Sequence, residues 1–140
     1  MKRLSKLLLA FLLLLGLNGC IEAEYQGQAT QLVEQWHNAF KAGDMDTAFS
    51  LYDKGFLADH PRITWEKKLL GLTQSYGALK EIRPTFQRKD PSVAGDYYVF
   101  GFILVFEKGS ASETLTVFKS LKDDKLSIAG QTIQPKARSQ

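Results

Sequence analysis

The sequence predicts an α+β fold, three N-terminal helices packed on a curved antiparallel sheet of about four strands. Apolar residues recur at helical spacing in Ala29, Leu32, Val33, Trp36 and Phe40, and again in Trp65, Leu69, Leu72 and Tyr76. After Gly77 the pattern changes to alternation, most plainly in Leu115 and Val117 set against Thr114 and Thr116. Helices gathered before strands, and not interleaved with them, imply a sheet whose helices share one face.

The first helix begins at Ala29 and ends at Gly43, a residue suited to a left-handed C-terminal cap. Asp44 can accept the free amides of a second helix whose buried face is Met45, Ala48, Phe49 and Tyr52. Lys54 to Arg62 contains Gly55 and Pro61 without periodicity and is expected to be a loop in which Phe56 and Leu57 turn inward. Thr64 is placed as the cap of the third helix, with Trp65, Leu69, Leu72 and Tyr76 inward and Gly77 at its end.

Leu79 to Arg88 is the first strand, with Pro84 implying an edge position or a bulge. Tyr97 to Phe106 is apolar on both parities, Tyr98, Phe100, Phe102 and Phe106 against Val99, Ile103 and Val105. Helices can cover only one of those faces, so the other is free for a homodimer, the tail or the tether. Asp123-Asp124 turns the chain from the third strand into Leu126 to Ile133, and residues 135–140 form a polar, frayed tail.

The chain opens differently. Lys2, Arg3 and Lys6 precede the apolar run Leu7 to Leu15, and Gly19 stands before Cys20. This is the order of a secretory signal, and the run is about half of the ~20 residues a membrane-spanning helix needs. Leu17-Asn18-Gly19-Cys20 resembles the lipobox of bacterial lipoproteins. The resemblance implies cleavage after residue 19 and a mature N-terminal Cys20 carrying a diacylglyceryl thioether and an amide-linked acyl chain. Each buried methylene adds about 0.8 kcal/mol, so several chains hold stably where one holds marginally. The alternative for Cys20 is a buried structural cysteine. Ile21, in place of an aspartate after the cysteine, implies by the same resemblance the outer membrane facing the periplasm.

The domain plan is then a signal peptide over residues 1–19, the lipidated cysteine and a tether over 20–27, and a single domain over 28–134. Lys2, Arg3 and Lys6 account for the whole net charge of +3. The mature domain is therefore neutral and carries no basic stripe for nucleic acid. With no cysteine after Cys20, it has neither an intrachain disulfide nor a thiolate metal site.

The tryptophan-bearing first helix, the Gly43-Asp44-Met45-Asp46 corner and the late run Lys125 to Gly130 resemble the nuclear-transport-factor-2-like, cystatin-like superfamily, whose domains are cone-shaped. Within it the chain is similar to small bacterial lipoproteins of unassigned function. The superfamily holds ketosteroid isomerases, polyketide cyclases, epoxide hydrolases and non-catalytic binding modules, so the site must choose among them.

Catalysis in such a pocket needs a titratable group projecting into it. The strand from Tyr97 to Phe106 has no carboxylate, histidine or lysine, and Lys119 is read as an outer lysine with its stem along apolar surface. His37 borders the buried stripe of the first helix, and Asp44 and Asp46 serve the start of the second. Asp53 ends that helix, where its charge opposes the dipole, and Asp59-His60 lies in a loop over the pocket mouth. No metal-ligand spacing and no cofactor motif occurs. The leading expectation is a non-enzymatic, membrane-anchored domain whose pocket, lined by Trp36, Phe40, Tyr52, Trp65 and Tyr76, holds a hydrophobic ligand or an envelope protein. The alternatives are a small isomerase or hydrolase using His37 or an aspartate, and a structural assembly subunit.

Overall fold

The computed structural model describes residues 17–136, with side chains from Tyr25 onward. The signal segment up to residue 16 and the end of the polar tail lie outside the described residues. Four helices precede four strands: α1 (Leu17–Ala42), α2 (Met45–Ser50), α3 (Lys54–Asp59) and α4 (Arg62–Tyr76), then β1 (Leu79–Pro91), β2 (Gly95–Phe106), β3 (Gly109–Ser120) and β4 (Leu126–Pro135). The strands form one antiparallel meander in the order β1-β2-β3-β4.

The first helix departs from expectation at its start. The segment expected as a tether is helical, because Glu22, Ala23, Glu24, Gln26 and Gln28 favour helix and Gly27 alone opposes it, at about 1 kcal/mol. Tyr25 then packs against the core, its ring 3.4 Å from the Lys119 ammonium. A helix rises ~1.5 Å per residue, less than half of an extended chain, so this lead-in is short.

Gly43 does end α1, with φ of 74°, and Asp44 caps α2 by accepting from the Thr47 amide at 3.1 Å. The hydrogen bonds from Thr47 hold the Asp44 carboxyl below its ordinary pKa. The expected loop after α2 is instead α3, because Asp53 is its N-cap and accepts from the Phe56 amide at 3.0 Å. Asp53 therefore serves the start of a helix, where its charge suits the dipole, and not the end of one. Helix α4 starts two residues before Thr64, with the Pro61 carbonyl accepting from Thr64 and Trp65 at 3.0 Å each.

Inside the sheet's concave face the core runs from Val33, Trp36 and Phe40 through Phe49, Tyr52 and Leu69 to Tyr98, Phe100, Leu104, Leu115 and Ile128. The backbone between α2 and α3 closes one end of it. Ile128 donates to Leu51 and Asp53 to Ile128, both at 2.8 Å, so this connection acts as a one-residue strand beside β4. On the outer face Tyr97, Ile103, Val105 and Phe118 are half-buried, with the Tyr97 and Phe118 rings 4.8 Å apart.

Candidate functional site

Thr30, Val33, Glu34, His37 and Asn38 recur at spacings of three and four and so share one face of α1. That face stands over Ile82 to Gln87 of β1 and over Phe100 and Phe102 of β2, and the space between is a cavity of about 590 Å³. Its wall is apolar through Val33, Ile82, Pro84, Phe86, Phe100 and Phe102. The charged residue among those lining it is Glu34, and no lysine or arginine is present there.

The edge strand shapes the mouth of this cavity. β1 is both an edge and bulged between Pro84 and Phe86, as a proline in a strand requires. Gly101 sits opposite Phe86, and a Cβ there would lie 2.2 Å from the Phe86 ring. The glycine leaves room for that ring against β2 on the parity of Val99 and Ile103.

Behind the cavity wall runs a buried polar chain. His37 Nε2 lies 2.6 Å from Glu113 Oε2, and both side chains are almost wholly enclosed. Gln131 Nε2 donates to Glu113 Oε1 at 2.7 Å. The other end of that amide, Oε1, accepts from the Trp65 indole at 3.2 Å and from the Tyr52 hydroxyl. Trp65 Nε1 also lies 3.1 Å from the Tyr52 oxygen. Burial pushes the Tyr52 phenol well above its ordinary pKa, so it remains a neutral donor. The His37 ring meets the edge of Phe102 with centroids 4.6 Å apart and planes at 89°. Four elements, α1, β3, β4 and the segment around α3 and α4, thus converge on one hydrogen-bonded line that ends at the cavity.

Four of the residues that the sequence grouped, Trp36, Phe40, Tyr52 and Trp65, do come together, but in the core and not at this cavity. None of Trp36, Phe40, Tyr52, Trp65 and Tyr76 lines this cavity. Trp36 is fully buried between Phe40 and Tyr52, Tyr52 stacks on Phe56, and Tyr76 rests against Phe106. The physical reason is size: the largest rings fill the hydrophobic centre, and smaller groups at the sheet's edge leave the space. His60 does not overlie the cavity either. Its ring stacks on Phe56 at 4.4 Å, and with Asp53, Asp59 and Gln131 it borders a separate hollow beside β4. Lys119 is not an outer lysine. It lies on the inward parity of β3, buried beneath Tyr25 and 3.3 Å from Asp124.

Glu113 and Gln131 escaped the sequence reading. Glu113 shares the parity of Leu115 and Val117, which marks it as inward once β3 is seen to start at Gly109. Gln131 opposes Leu115 on β4 and faces the same way. Among the described residues no group of three or more histidine, cysteine, aspartate or glutamate side chains is placed to hold a metal. No described helix is long and apolar enough to cross a membrane.

No protein-family model and no curated protein matches the chain. Solved structures similar to it include the following. One is Bd1075 of Bdellovibrio bacteriovorus, 17% identical with a TM-score of 0.55 over 81% of this chain and 41% of that one. The chain thus spans less than half of that protein's length. Another is a Shewanella frigidimarina protein assigned provisionally to the ketosteroid isomerases, 15% identical with a TM-score of 0.53 over 76% of this chain and 94% of that one. Helices packed against a four-stranded antiparallel sheet give the chain an α+β fold, and a ketosteroid-isomerase-like protein is among its structural neighbours.

Proposed function

We propose that the chain is a lipid-anchored binding domain of a bacterial envelope that holds a small, largely apolar molecule between α1 and the β1-β2 edge. The observation that carries this reading is the cavity of about 590 Å³, walled by Val33, Ile82, Pro84 and three phenylalanines with a few polar groups at its rim. That size and composition suit a small ligand. The test is native mass spectrometry of the full chain extracted from membranes. A bound apolar species is expected with the wild type and should be absent from Thr30→Trp, where an indole fills the space. Wild-type protein free of any such species, which also fails to take up added naphthalene-type probes, overturns the reading.

The anchor rests on Leu17-Asn18-Gly19-Cys20 and its basic and apolar lead. In this reading Cys20 carries the acyl chains, and the outer membrane facing the periplasm is the expected site. Cys20→Ser should abolish incorporation of a fatty-acid analogue and leave an unprocessed precursor. Equal labelling of wild type and variant would end the lipoprotein proposal.

One observation favours a second reading, a pocket enzyme. A carboxylate-bound imidazole at a cavity wall is the arrangement of a general base whose partner orients it and stabilises its protonated form. Turnover of a bound molecule, lost in His37→Gln while binding remains, would establish it over simple holding.

A further inference from the structure

The chain of hydrogen bonds behind the cavity has a direction, and an indole sets it. Trp65 Nε1 can only donate, so the Gln131 atom facing it is the amide oxygen. The Gln131 nitrogen must then face Glu113, which accepts at Oε1. If Glu113 accepts from His37 through its second oxygen as well, the shared proton belongs to His37 Nε2. A neutral imidazole carrying its proton on Nε2 has a bare Nδ1. That nitrogen makes no hydrogen bond within the described residues, while the His37 side chain is 95% buried and lines the cavity.

We propose that His37 is held in this neutral form, that its Nδ1 is the cavity's recognition point, and that it selects a neutral, ring-bearing molecule through a single hydroxyl that donates to it. This rests on the binding reading given above and specifies its ligand. The charge of the wall agrees. Glu34 lies at the lining, Glu113 lies behind His37, and no lysine or arginine is among the lining residues to receive a carboxylate. The rings of Phe100 and Phe102 suit a flat aromatic or fused-ring body.

The same direction predicts its own reversal. In Glu113→Gln the new side chain still accepts from Gln131, and its amide nitrogen then points at His37 Nε2. That nitrogen must give up its proton to accept, which moves the proton to Nδ1 and turns the recognition point from acceptor to donor.

The test uses the full chain in nanodiscs with 2-naphthol, 2-acetylnaphthalene and 2-naphthoate as probes, after subtraction of uptake by empty discs. Wild type should bind 2-naphthol about tenfold more tightly than the other two, the worth of one neutral hydrogen bond. In Glu113→Gln the ketone, an acceptor, should overtake the naphthol. Equal binding of all three by wild type leaves the cavity reading standing and overturns the hydroxyl preference. Binding of none sinks both. Nitrogen-15 shifts of the His37 ring give a check that needs no variant: a proton on Nε2 alone is expected in wild type, and one on Nδ1 overturns the proposal.

Discussion

Glu113→Ala is expected to destabilise the fold by about 2–6 kcal/mol, because it orphans two buried hydrogen-bonding groups at about 1–3 kcal/mol each. Those groups are His37 Nε2 and Gln131 Nε2, both bonded to a carboxyl whose side chain has no exposed surface. Both side chains are buried, so neither is freely solvated in the intact fold. Glu113→Gln keeps one acceptor and the volume, so its loss should be much smaller. Chemical denaturation of the two variants side by side measures the difference. An alanine variant within about 0.5 kcal/mol of wild type, the range of an ordinary surface change, would mean that the buried line of hydrogen bonds does not hold α1 to the sheet.

Trp36→Ala should cost about 3–5 kcal/mol, the usual penalty for emptying a large aromatic site. The indole is fully buried, with its ring 5.2 Å from Phe40 and 6.3 Å from Tyr52, centroid to centroid. It fastens α1 to the rings around α2 and α3, so the space it leaves cannot close without moving a helix. For a domain of this length the fall in Tm should be about 10–20 °C. Ile63→Ala is the control, since Ile63 is 86% exposed and its loss should change stability by no more than about 0.5 kcal/mol. Equal melting of the two variants would refute the assigned role of Trp36.

These two residues illustrate different kinds of legibility. Trp36 is visible in the sequence as core because its neighbours Val33 and Phe40 repeat the helical period. Glu113 is a charged residue in the alternating run of β3, and a charge there reads as solvated until the groups that bond its oxygens are known. His37 was singled out, yet its partner lies 76 positions away and no local pattern connects them. Long-range pairs of this kind carry no periodic signal.

By itself the sequence determined the fold class, the corner at Gly43-Asp44, the inward stripe of α4, the edge character of β1 and the two apolar faces of β2. Each follows from a period, a cap or a missing amide, which are properties of neighbouring residues. Only the tertiary structure decided that the lead-in to α1 is helical, that Asp53 and His60 belong to α3, and that Lys119 lies inside beneath Tyr25. It also decided where the cavity is. The large rings compete for the same central volume, and the space left over falls where α1 meets the β1-β2 edge, beside the histidine that the buried carboxylate orients.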